Sequence, residues 1–124
     1  YQLDSRIYLK PACKDLWNRI YNASLFVLSS DYEGMPNALM EAMALGIPSI
    51  STDCRPGGAR TLIKDGVNGF VVPRMDVQSL AEKMRYVLEH PDIAETISKG
   101  GREIAYTHDE KSTFDKWEDF LCRL

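Results

Sequence analysis

Long hydrophobic runs are missing from this 124-residue chain. The longest, Leu25-Phe26-Val27-Leu28 and Phe70-Val71-Val72, fall far below the roughly 20 residues that cross a bilayer. No basic-then-apolar leader pattern is visible at the amino end, so a cytoplasmic setting is expected. Cysteine is scarce: Cys13, Cys54 and Cys122 are odd in number, widely spaced and never arranged as Cys-x-x-Cys. With only His90 and His108 beside them, neither a disulfide scaffold nor a metal site is expected. Positive charge is in deficit, with 15 Lys plus Arg against 18 Asp plus Glu and a net charge of −3. Such a balance does not hold a phosphate backbone, so nucleic acid is not an expected partner. Repeats, low-complexity tracts and flexible linkers are absent as well.

What remains is an ordinary globular composition, 44% hydrophobic and 27% charged, in a chain of one domain's length. Short β-rich runs alternate with longer helical stretches. Arg6–Leu9 reads as a strand stopped by Lys10-Pro11. Asp15–Asn22 reads as an amphipathic helix, and Ser24–Ser29 as a buried strand. Asn37–Leu45 reads as a helix with Pro36 at its first position and Gly46 as its stop. Pro48–Ser51 and Phe70–Val72 read as further strands. Asp65-Gly66 and Asn68-Gly69 are turn dipeptides, and Arg60–Lys64 reads as one helical turn. Asp76 caps a helix running to Glu89. Pro91–Tyr106 reads as another, weakened at Gly100-Gly101. Ser112 is placed as the cap of a last helix ending at Cys122. Its stripe of Phe114, Trp117, Phe120 and Leu121 reads as core packing. Strand and helix in alternation, without hairpin turns, predict an α/β fold: a parallel βαβ sheet with helices on both faces.

In such sheets ligands bind beyond the carboxyl ends of the strands. The segment Ser29–Leu45 leaves a strand there and enters a helix within a few residues. The free N–H groups of the first helical turn and the helix dipole together suit an anion such as phosphate. Gly34 lets a ligand approach the backbone. Two carboxylates, Glu33 and Glu41, flank the turn. A carboxylate beside an anion site suits neutral hydroxyls, because each oxygen accepts a hydrogen bond from a sugar. Glycosidases also use two carboxylates but have no need of a helix amino end between them. Asp31 and Tyr32 are expected to serve loop solvation and packing, Lys10 after the first strand is read as an exposed lysine, and Arg55 in the next loop is a candidate to pair with a diphosphate. Gly57-Gly58 reads as a turn. His90 and His108, near helix ends, are given no catalytic role.

The block from Glu33 to Pro48, Glu-Gly-Met-Pro-Asn-Ala-Leu-Met-Glu-Ala-Met-Ala-Leu-Gly-Ile-Pro, closely resembles the hallmark of retaining GT-B glycosyltransferases of family 4 (glycosyl transferases group 1). Asp65–Val72 is similar to the turn and strand that follow in that family. The resemblance implies a role for each matching residue. Glu41 would hold the donor ribose hydroxyls, and Glu33 would touch the transferred sugar beside the reacting centre. Gly34, Met35 and Pro36 would line the diphosphate and sugar through backbone groups. Asn37, Ala38 and Leu39 would open the helix that faces the diphosphate. Glu33 would be the catalytic residue, and neither a cofactor nor a metal is implied. The stretch Ser51–Gly58 is similar to a subgroup that uses UDP-linked donors, although Arg55, Pro56 and Ala59 depart from its pattern.

The resemblance thus implies a partial domain spanning 1–124, the Rossmann-like carboxyl-terminal half of a GT-B enzyme. No Gly-x-Gly loop precedes Arg6, so the acceptor domain and the first part of the donor domain are expected to lie elsewhere in a longer parent. That parent would transfer a sugar from a nucleotide-diphosphate-sugar to a glycan or lipid-linked acceptor, peripheral to a membrane or free of it. The chain alone would be inactive and prone to self-association through surface left bare. The alternative is a non-catalytic nucleotide-sugar-binding or signalling α/β module.

Overall fold

A computed structural model describes residues 3 and 5–123. Its frame is a three-stranded parallel sheet of β1 (Phe26–Leu28), β3 (Ser49–Thr52) and β5 (Phe70–Val72), in that spatial order. The middle strand is buried along its whole length. Val27 and Phe70 stand opposite Ile50, while Leu28 and Val71 stand opposite Ser51. Alternation of side chains therefore assigns each residue a face. Phe26, Leu28 and Val71 point to one side, together with the small Ser49 and Ser51. Ile50, Phe70 and Val72 point to the other.

Helices cover both faces. On the serine side lies α2 (Asn37–Ala44), with Leu39, Ala42 and Met43 fully buried. Its cluster includes Cys54 and residues of α3 (Gly58–Leu62) and α6 (Ile104–Thr107). Small side chains on β3 let α2 approach closely. On the opposite side, α4 (Val77–Glu89) and α5 (Pro91–Arg102) bring Val87 and Ile97 against Ile50, Phe70 and Val72. Burying one such side chain contributes roughly 1.5–3 kcal/mol. Gly46 ends α2 at φ +76°, a conformation that strains any residue with a Cβ. The Ile47 N–H then closes back on the Ala42 carbonyl at 3.0 Å. From α5, the Ser98 hydroxyl donates to the Gly46 carbonyl at 2.6 Å, tying the end of α2 in place.

Several expectations need correction. Arg6–Leu9 is not a strand: no described strand lies beside it, and Ile7, Tyr8 and Leu9 are exposed. A β-favourable composition needs a neighbour to pair with. The first helix, α1, covers only Leu16–Ile20, and β1 is a half-buried edge strand. Pro36 is the N-cap of α2 rather than its first residue. The long helix after Pro91 breaks at Glu103, just past the two glycines, into α5 and α6. The final helix, α7 (Glu110–Leu121), starts one turn earlier than expected. Asp109 caps it by accepting from the Ser112 amide at 2.7 Å, so Ser112 sits inside the first turn. None of α7 is buried, so its aromatic stripe is not core.

Candidate functional site

The loop leaving β1 is held by a set of polar contacts at the carboxyl edge of the sheet. The Thr52 hydroxyl, at the end of β3, donates to the Ser30 carbonyl at 2.5 Å. The Ser30 hydroxyl donates to Glu33 Oε1 at 2.9 Å. Glu33 belongs to β2 (Tyr32–Glu33), which pairs in parallel with β4 (Arg55–Pro56). The Arg55 amide donates to the Asp31 carbonyl at 3.1 Å. The loops after β1 and after β3 are thereby joined into one unit. Gly58 completes the junction, because a Cβ there would collide with the Gly34 carbonyl oxygen. Gly34 itself faces open space on its other side: a Cβ there would meet nothing within 4 Å.

At the start of α2, the Pro36 carbonyl accepts from the amides of Leu39 and Met40 at 3.0 and 3.1 Å. The amides of Asn37 and Ala38, one step earlier, find no acceptor among the described residues. They are the free donors of the helix terminus, and Asn37 and Ala38 are both exposed. Leu39 is fully buried, and its amide is already bonded, so it supports the site from the core side. Pro36 is buried too, while Met35 is half exposed. Glu41 lies one turn further along α2, half-buried. Its Oε2 accepts from the indole N–H of Trp17 at 3.3 Å. A cleft of about 370 Å³ opens beside it, lined by Cys13–Asn18 and Glu41.

In chain order the candidate residues make a row: Glu33 at the end of β2, Gly34 with its open face, the free amides of Asn37 and Ala38 at the start of α2, and Glu41 one turn on. Arg55 is exposed and makes no ion pair among the described residues. Arg60 is committed instead: its guanidinium grips both oxygens of Asp53, at 2.5 and 2.7 Å. The Arg60 hydrogen bond, with attraction from Arg60 and Arg74, holds the Asp53 carboxyl below its usual range. Asp31 and Tyr32 are exposed. Lys10 stands over the Tyr8 ring at 5.5 Å and follows no strand. The imidazole Nδ1 of His90 bonds to the Tyr86 carbonyl at 2.7 Å, and that of His108 to the Thr107 hydroxyl at 2.9 Å. Neither belongs to the row. Among the described residues no His, Cys, Asp and Glu cluster that could hold a metal occurs, and no helix is long and apolar enough to cross a membrane.

Sequence reasoning missed four supports: Ser30, Thr52, Gly58 and Trp17. Thr52, Gly58 and Trp17 act through contacts between distant segments, which no local spacing announces, whereas Ser30 reaches Glu33 from only three residues away.

The family model of glycosyl transferases group 1 matches residues 1–104. EpsD of Bacillus subtilis (strain 168), which its name places provisionally among glycosyltransferases, is 32% identical over 107 residues. That match covers 86% of this chain and 28% of EpsD. Among solved structures, Anabaena HepE in complex with UDP superposes with a TM-score of 0.81 at 24% identity, over 90% of this chain and 31% of HepE. A TarM variant from S. aureus, crystallised with fondaparinux, alpha-GlcNAc-glycerol and UDP, gives 0.84 at 23% identity, over 94% of this chain and 24% of TarM. This chain spans about a third or less of the length of each.

Proposed function

This chain belongs to the glycosyl transferases group 1 family, and on that premise we propose that it is the donor-holding, carboxyl-terminal part of a retaining GT-B glycosyltransferase of family 4. The whole enzyme moves a sugar from a nucleotide-diphosphate-sugar to a hydroxyl of a glycan or lipid-linked acceptor. The observation that carries this reading is the row at the carboxyl edge, with two free amides at the start of α2 between the carboxylates of Glu33 and Glu41. A helix amino end attracts a diphosphate, whereas carboxylates accept from neutral sugar hydroxyls. Glu41 takes the ribose and Glu33 the transferred sugar. The amides of Asn37 and Ala38 hold the diphosphate, beside the open backbone of Gly34 and Met35.

In the transfer, the bond between the anomeric carbon and the diphosphate oxygen breaks, and its electron pair leaves with the diphosphate. The acceptor oxygen bonds to the same face of that carbon, and its proton passes to the departing diphosphate. Preorganised donors at that diphosphate stabilise the negative charge that develops there. No metal enters this scheme. The acceptor is held by another part of the enzyme, so the 124-residue chain alone carries no transferase activity. Uridine is the base to test first, as HepE and TarM were both solved with UDP.

The test is an NMR titration of the chain with UDP, UDP-glucose and GDP-mannose. Amide shifts are expected to cluster at residues 34–41 for one base and to vanish in Glu41→Ala. Unmoved amides there at about 5 mM of every ligand, an affinity weaker than any useful donor site, would sink the proposal. A signalling or purely structural α/β module predicts that outcome.

A further inference from the structure

We propose that Trp17 is a positioning residue for Glu41, presenting that carboxylate to the ribose hydroxyls of the donor. The inference rests on the donor-site reading above and adds to it a residue from outside the hallmark block.

Trp17 lies on α1, 24 residues before Glu41 in the chain. Its side chain is not core: it is 59% exposed. An indole so open to water loses much of the benefit of its apolar area, and its N–H is a donor with no acceptor function. That donor is spent on Glu41 Oε2 at 3.3 Å. The other oxygen of Glu41 has no partner among the described residues. The carboxylate is thus half engaged, with one oxygen pinned and one left to accept.

A free glutamate on a helix surface samples several rotamers, and ordering it on binding costs affinity. A hydrogen bond that fixes one oxygen beforehand removes part of that cost. Local hydrogen bonds hold the turn of α1 that carries the indole. Asn18 donates to Asp15 Oδ1 at 2.6 Å, and the Tyr21 amide bonds back to the Trp17 carbonyl at 3.0 Å. The cleft of about 370 Å³ between α1 and Glu41 has room for a nucleoside, with the indole as part of its wall. A ligand laid from the start of α2 through Glu41 runs into that cleft.

The test compares UDP with 2′,3′-dideoxy-UDP, which lacks the hydroxyls that Glu41 would accept from. Calorimetry is run on the wild-type chain, Trp17→Phe and Glu41→Gln. The wild type is expected to prefer UDP by about tenfold or more, the value of hydrogen bonds to a charged group. Trp17→Phe keeps a ring in place but removes the N–H. It should weaken UDP by about three- to tenfold and leave 2′,3′-dideoxy-UDP within about twofold. A merely structural role would weaken both ligands alike, and that result would overturn the proposal. So would a Phe variant that keeps the full preference. A second readout does not depend on the Phe variant: the Trp17 indole N–H resonance should move in Glu41→Gln and on adding UDP, while that of Trp117 stays. An unmoved Trp17 resonance overturns the proposal too. If UDP binds the wild type with no ribose preference, the role of Glu41 fails first. If nothing binds, the donor site itself fails.

Discussion

Helices α2 and α7 both carry large apolar side chains at helical spacing, and they meet opposite fates. In α2, Leu39 and Met43 are 0% exposed beneath two parallel strands. In α7, Phe114 and Trp117 are 67% and 60% exposed, and Phe120 and Leu121 are similarly open. Trp117 and Phe120 pack edge to face on each other, with ring centres 6.1 Å apart. The helix is tied on by polar contacts, among them Lys116 Nζ and the Ser112 hydroxyl, each 3.0 Å from the Thr107 carbonyl. A stripe reports that burial would be favourable; it does not report what provides the cover. For α2 the cover is supplied by Ser49 and Ser51, which are small enough to let the helix reach β3, and by the loops that fix where α2 begins.

The largest effect expected from breaking this comparison is in stability. Leu39→Ala removes a fully buried side chain and should cost about 2–5 kcal/mol in urea unfolding. Phe120→Ala should stay within about 0.5 kcal/mol, as for surface substitutions. Equal losses would mean that α7 belongs to the cooperative core.

The same contrast sets how much was legible beforehand. The strands at β1, β3 and β5, the stop at Gly46 and the cap at Asp76 are local and lie where their residues predict, whereas the helical turn expected at Arg60–Lys64 is α3, two residues earlier at Gly58–Leu62. The row from Glu33 to Glu41 is equally local, since one strand end and one helix start hold all of it. The errors fall where a feature depends on a neighbour. Arg6–Leu9 has strand-like composition but nothing described to pair with. The two-residue pairing of Tyr32–Glu33 with Arg55–Pro56 is too short to carry a period and exists only because two loops meet. Asp109 and Ser112 are both acceptable caps, and the choice between them depends on where α7 docks on α6. The Trp17 contact to Glu41 spans two helices and leaves no trace in spacing.

Two glycines sharpen the comparison at the site itself, one packed and one open. A Cβ on Gly58 would strike the Gly34 carbonyl oxygen and press toward Pro36 Cδ, so Gly58→Ala must push the two loops apart. Overpacking of that kind costs about 1–3 kcal/mol. It should displace Glu33 and Gly34 while leaving Glu41 alone, so UDP-glucose should lose its advantage over UDP. Gly34→Ala adds a methyl to open space and should change stability by no more than about 0.5 kcal/mol, yet weaken donor binding, because the proposed site puts the ligand in that space. Thermal unfolding and calorimetry on both variants separate packing from contact. If Gly34→Ala binds every ligand like the wild type, the open face is not part of the site.

The smallest effect is electrostatic, and it sets a packed cap against an open one. Asp76 caps α4 by accepting from the Ser79 hydroxyl and amide, at 2.6 and 2.9 Å, and these bonds hold its carboxyl below the ordinary 3.8. Asp109 caps α7 in the same way through the Ser112 amide, and is lowered likewise. A carboxyl depressed in the folded state stabilises it above the unfolded pKa, and that contribution fades as the pH drops from there through the folded value. Both caps should therefore weaken between about pH 5 and pH 3. Asn at either position still caps a helix but does not titrate there. Because α4 buries Val87 against the sheet, Asp76→Asn should flatten the acid decline of the urea midpoint. With no buried residue in α7, Asp109→Asn should leave that decline intact and slow only the acid-induced rise in amide exchange within α7. A global midpoint that responded to Asp109→Asn as strongly as to Asp76→Asn would show that the exposed stripe of α7 is coupled to the core after all.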